Sequence, residues 1–127
     1  MTMRFVHTPQ APAAIGPYSQ AVVSGGHDFV SGQLGMDPAT GDLVGPAMAD
    51  QARQALANLK QIVLAAGSTP EQVVAVDVFL TDMNDFIEFN GIYADAFGAH
   101  KPARAVVAVA ALPKGACVEI KCIAALS

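Results

Sequence analysis

The sequence predicts an α+β fold, a mostly antiparallel sheet with two helices on one face, in the order β-β-β-α-β-α-β-β. Three observations predict it. Apolar residues recur at spacings of three and four over about 47–66, and again, as aromatics, over about 85–97, which is the helical period. The remaining segments are short, rich in β-branched residues and bounded by Gly, Pro, Asn and Asp turns. Helices confined to one face leave the other face of the sheet to be buried by something else.

A short strand is expected near Arg4 to His7, ending at Thr8-Pro9 and followed by an extended Pro/Ala-rich loop to Ile15. Gly16-Pro17-Tyr18-Ser19-Gln20 is turn chemistry able to fix the Tyr18 ring against a surface, and a tyrosine in such a turn is more often packing than chemistry. Residues 21–24 and 29–32 flank Gly25-Gly26-His27-Asp28, a hairpin signal with glycine where positive φ is needed. Ser31-Gly32-Gln33 closes the second strand, where a glycine beside a hydroxyl lets a ligand approach backbone amides, though Ser-Gly alone is a weak signal. Asp37-Pro38-Ala39-Thr40-Gly41 is a turn.

In the first helix Ala52, Leu56, Leu59, Ile62, Val63 and Ala66 form the apolar stripe, with Arg53, Asn58, Lys60 and Gln61 off it. Pro46 suits the start and Gly67 the end. Residues 74–80 read as a buried strand. Phe86, Phe89, Tyr93 and Phe97 share a stripe of the second helix, which stops at Gly98, and they read as core; Asn90 stands beside them and reaches either a cleft or water.

The last quarter reads as two strands, 104–110 and 117–125, joined by a tight turn at Leu112-Pro113-Lys114-Gly115. That hairpin sets Arg104 opposite Ile123 and Ala108 opposite Glu119, placing both charges on one sheet face but about 13 Å apart, too far for an ion pair. Charges among small apolar residues must be satisfied. On the hairpin alone, unseen partners or the sheet rim are the plainer account. The functional alternative is a polar cleft in which Arg104 holds an anion and Glu119 handles protons.

At 127 residues the chain fits one domain, 1–127, able to build a core without disulfides or metal. Apolar residues make up 53% and charged ones 14%, too few charges to cover a monomer, so burial between copies is expected. The net charge of −4 and the absence of a Lys/Arg run argue against a nucleic-acid partner. Cys117 and Cys122 point to opposite faces of one expected strand and are read as reduced core thiols. His7, His27 and His100 lack a ligand spacing, so no metal or other cofactor is expected. With no leader-like or membrane-spanning run, a soluble cytoplasmic protein is expected.

Four segments change the picture: Ala14-Ile15-Gly16-Pro17-Tyr18-Ser19-Gln20-Ala21, Ser31-Gly32-Gln33, Gln51-Ala52-Arg53-Gln54-Ala55-Leu56-Ala57-Asn58-Leu59 and Pro102-Ala103-Arg104. Together, in this order, they resemble the reactive-intermediate deaminase (Rid, YjgF-type) family over nearly the whole chain. The resemblance implies a chorismate-mutase-like fold, a homotrimer with clefts between subunits, and hydrolysis of enamine/imine acids (2-aminoacrylate, 2-iminobutanoate type) to 2-keto acids and ammonia. It implies that Arg104 binds the substrate carboxylate, Glu119 orients or deprotonates water, Tyr18 lines the pocket with its hydroxyl, Ser31 and Gly32 form the floor and Asn90 adds a polar contact. One position departs from the pattern: Val106 stands where the deaminating branch often has cysteine. Hydrolysis needs an anchor and a water, not a protein nucleophile, so the loss leaves the reaction possible. The alternatives are a non-catalytic sensor of small carboxylates and, against the acidic balance, RNA cleavage or translation inhibition.

Overall fold

The structure, a computed structural model, describes residues 2–127. Along β6 (Val118–Ala125), Val118, Ile120, Cys122 and Ala124 are buried, whereas Glu119, Lys121 and Ile123 between them are not. The two-residue period therefore gives the sheet a packed face and an open one. β6 is central. The strand order is β1-β2-β3-β6-β4-β5, with β1 (Arg4–Val6), β2 (Ala21–Ser24), β3 (His27–Leu34), β4 (Val73–Leu80) and β5 (Ala103–Ala108). Every pairing is antiparallel except that of β4 with β5. α1 (Met48–Ala65) and α2 (Phe86–Phe97) cover the packed face, so the expected α+β class and element order hold.

The terminal hairpin does not form. β5 runs parallel to β4, pairing Val76 with Arg104, and β4 separates it from β6. The reason is the intervening helix: β4, α2 and β5 make a crossover unit, whose strands lie parallel and adjacent. The Pro113–Gly115 segment is a short 3-10 turn with Lys114 at φ 61°, part of a connection that carries the chain past β4. Arg104 shares the row of Val76 and Cys122, whereas Glu119 shares the row of Phe79 and Val107. The two charges therefore project from opposite faces, not from one.

The hairpin of β2 and β3 forms, with a tighter turn than expected: it turns at Gly25 and Gly26 with φ of 61° and 78°, and His27 and Asp28 pair with Ser24 and Val23 inside the sheet. On α1 the whole expected stripe is buried, with Ala52 and Ile62 fully enclosed. Asn58 joins it, contrary to its expected place on the polar side. Its amide donates to the Leu34 and Met36 carbonyls at 3.2 and 2.9 Å, fixing the end of β3 to the helix. Gln51 acts likewise, donating to Gly45 O and accepting from Cys117 N, each at 2.8 Å. Buried amides used this way satisfy loop backbone that cannot reach water.

Asp28 is fully buried on the packed side, and among the described residues neither carboxylate oxygen has a hydrogen-bond partner. Burial pushes its carboxyl up to about 6 from 3.8, with Arg4 opposing. An acid raised on folding binds more protons folded than unfolded, so its contribution falls as pH rises from about 4 to about 6. The span corresponds to about 3 kcal/mol as an upper figure. Asp28→Asn is therefore expected to flatten this part of the stability profile, gaining on wild type at pH 7.5 relative to pH 4, as measured by denaturant unfolding at both values. Equal profiles would contradict the assignment.

Candidate functional site

The expected site residues fall into two groups. On the open face, the register of β3 against β6 slips between Val30 and Gln33, so Ser31 and Gly32 form a bulge opposite Lys121. The bulge is fastened to the preceding loop: Ser31 Oγ donates to Ser19 O at 2.6 Å, and Ser31 N to Gln20 O at 2.9 Å. Gln20 in turn is buried, donating to the Thr8 and Pro12 carbonyls at 3.0 and 2.9 Å and accepting from Thr8 N at 2.7 Å. Those bonds hold the loop so that Tyr18, just beyond Gly16 at φ 128°, stands half-exposed over the sheet.

Glu119 lies across Gly32. A Cβ on Gly32 would overlap Glu119 Oε2 and stand 2.9 Å from its Cδ, so only glycine leaves room for the carboxylate at this place. Tyr18, Ser31, Gly32 and Glu119 line one open concavity of about 900 Å³, with Lys114 and Lys121 at its rim. Burial raises the Glu119 carboxyl above its ordinary range, while Lys121 pulls it down. A half-buried carboxylate of this kind holds its proton more readily than a free one, which suits it to proton exchange with a bound water.

The second group surrounds β5. Arg104 Nη1 donates to Asn90 Oδ1 at 2.7 Å, and the guanidinium carbon lies 4.7 Å from the Tyr93 ring centre and 5.8 Å from that of Phe86. Among the described residues Arg104 has no carboxylate partner; the one ion pair is Asp50 with Arg53. An exposed guanidinium with free donors is chemically able to hold an anion. Val106, two residues on, is half-buried and packs against the core on the same side.

The structure thus brings Tyr18, Ser31, Gly32 and Glu119 together and Arg104, Asn90 and Val106 together, but within one chain it does not unite the two groups. Sequence reasoning missed Phe86 and Tyr93 as neighbours of Arg104, because an aromatic stripe at helical spacing is indistinguishable from core until the strand beneath it is known. It also missed Lys121 beside Glu119, which the two-residue strand period would have found.

A two-helix α+β chain with an unpaired arginine on its edge strand and a half-buried glutamate on its open sheet face is the class these features define. The chain belongs to the Endoribonuclease L-PSP family, the YjgF/Rid group, which it matches over residues 8–126. A relative from Bos taurus named 2-iminobutanoate/2-iminopropanoate deaminase is 50% identical over 124 residues, covering 98% of this chain and 90% of the relative. Among solved structures, a Rid-family protein from Yersinia pestis, YyfA, superimposes with a TM-score of 0.96 at 44% identity, covering 98% of this chain and all of that one. E. coli TdcF with bound serine gives 0.93 at 42% identity, covering 98% and 99%.

Proposed function

We propose that the chain hydrolyses 2-imino and enamine acids of the 2-aminoacrylate and 2-iminobutanoate type to 2-keto acids and ammonia, in a site completed between copies of a homotrimer. The observation that carries this reading is the Arg104 guanidinium, fixed by Asn90 and without a carboxylate partner among the described residues. A 2-imino acid offers a planar carboxylate to that fork of donors and a C=N carbon to water.

Glu119 and Arg104 lie on opposite faces of one sheet, which supports a site in which a second copy supplies one of them. The surfaces for such an assembly are present. β5 is an exposed edge strand whose residues other than Arg104 are alanine and valine, and Phe5, Phe29 and Val107 are exposed on the open face. An apolar edge and face of this kind call for covering by another chain.

In the reaction, Arg104 of one copy holds the carboxylate and Glu119 of the next takes a proton from water as its oxygen bonds to the imine carbon. Glu119 passes that proton to the imine nitrogen as the C=N bond becomes single. The tetrahedral carbinolamine then collapses: Glu119 takes the hydroxyl proton as the C=O bond forms and delivers it to nitrogen, the C–N bond breaks, and ammonia leaves a carbonyl behind. Tyr18 positions the water or the departing nitrogen by its hydroxyl, above the floor made by Ser31 and Gly32. The name of the Bos taurus relative supports this chemistry, and the cytoplasm is the setting we assign.

Imine generated in situ from serine or threonine by a pyridoxal-phosphate dehydratase provides the test. Keto-acid release should accelerate on adding the protein; a rate equal to that in buffer rejects the proposal. A second reading, carboxylate sensing without turnover, draws on the serine bound in the TdcF structure, and it predicts saturable binding with that same buffer rate.

A further inference from the structure

We propose that Tyr93, with Phe86 beside it, is a positioning residue: its ring face is the seat that holds the Arg104 guanidinium flat and aims its free edge at the carboxylate. The proposal rests on the deaminase reading for its catalytic consequence, but the seat itself can be tested without it.

Arg104 starts from an unfavourable position for a precise anchor. It lies on an exposed edge strand, carries a long flexible side chain and has no acidic partner among the described residues to hold it. An anchor left to rotate would lose part of its binding energy in ordering. Three contacts from α2 supply the constraint instead. Asn90 Oδ1 accepts from Nη1 at 2.7 Å, the Tyr93 ring centre lies 4.7 Å from the guanidinium carbon, and the Phe86 ring centre lies 5.8 Å away. Both rings fall within the range at which the negative ring face attracts a cation.

These side chains stand at positions 86, 90 and 93, spaced four and three, so one face of a helix presents all of them to one guanidinium. The crossover puts that face over β5, which explains why the arginine lies on this strand. Tyr93 is itself held on both sides, its ring centre 5.9 Å from that of Phe89 and 4.8 Å from that of Phe97. Its position is therefore set by the core, and the core in turn sets the anchor.

The arrangement also fixes how Asn90 is used. With Oδ1 committed to Arg104, its amide N–H groups remain as donors, so guanidinium and amide together offer an anion only donors. The Tyr93 hydroxyl takes no part: it is buried without a partner among the described residues, and burial raises its pKa, so the ring stays a neutral phenol. It follows that the ring face matters and the hydroxyl does not.

The experiment compares Tyr93→Phe with Tyr93→Leu, both checked by circular dichroism and thermal melting. In nitrogen-15 NMR, the Arg104 guanidinium should show restricted rotation in wild type and Tyr93→Phe and faster rotation in Tyr93→Leu. In the deamination assay, Tyr93→Leu should raise KM about tenfold, with kcat changed less, while Tyr93→Phe stays within about twofold of wild type. In an Arg104→Ala background Tyr93→Leu should have little further effect, since its action passes through the arginine. Restricted rotation in both variants, or equal damage by both, overturns the seat. A seat seen by NMR in a protein that never accelerates imine hydrolysis overturns the deaminase reading and leaves the seat standing.

Discussion

Arg104→Ala is expected to lower kcat/KM for imine hydrolysis by at least about two decades, the scale set by losing two charge-assisted hydrogen bonds to a carboxylate. Glu119→Gln should be similarly impaired, with the loss mainly in kcat, because the amide cannot take the proton from water. The decisive result comes from mixing the two. Because the side chains leave opposite faces of one sheet, each site would draw them from different copies. Refolding equal amounts of the two inactive variants together should then create some sites with both native residues, about a quarter of the total by random assortment in a ring of three. Activity returning to about that fraction supports the shared site. No recovery, with mixed assemblies verified by mass, would place both residues in one chain's site and refute it.

Gly35→Ala carries the largest expected effect on folding. A Cβ at residue 35 would overlap Gln51 O and stand 2.5 Å from Gln51 Cα and 2.8 Å from its carbonyl carbon. The obstruction is helix backbone and cannot rotate away. α1 would have to withdraw, straining the Gln51 bonds to Gly45 and Cys117 at the same time. A penalty of about 3 kcal/mol or more is expected, read as a fall in melting temperature on the order of 10 °C. Gly91→Ala is the control, since a Cβ there meets nothing within 4 Å and alanine is the better helix former. Equal melting of the two variants would contradict the close approach of β3 to α1.

The contrast between local and long-range signals explains what could be read before the structure. The stripe of α1 and the β2–β3 hairpin are local patterns and form close to where their spacing placed them, although β3 starts at His27 and, of the α2 aromatic stripe read as core, only Phe89 and Tyr93 are buried. The partner of β5 is not local. Pro113 and Gly115 are strong turn residues, and they suggested a hairpin, whereas the helix lying between β4 and β5 called for a parallel neighbour. With the wrong partner, Arg104 and Glu119 were set on one face. Asn58 escaped for a related reason: its task is to hold the carbonyls of Leu34 and Met36, more than twenty positions away in sequence. The candidate residues themselves emerged only from the combined motifs, because Ser-Gly, a tyrosine after Gly-Pro or an arginine opening a strand says little alone.

Val106 gives the chain a distinctive chemical temperament. The two sulfhydryls it does possess are Cys117, half-covered and donating to the Pro46 carbonyl at 3.5 Å, and Cys122, buried and pushed up to about 12. Cys122 is therefore never a thiolate at neutral pH, and a methyl-bearing side chain occupies the place beside the anchor. A thiol-directed alkylating agent reaching Arg104 would meet a methyl-bearing side chain at residue 106 rather than a sulfhydryl, so treatment with it should leave anion binding by that arginine intact.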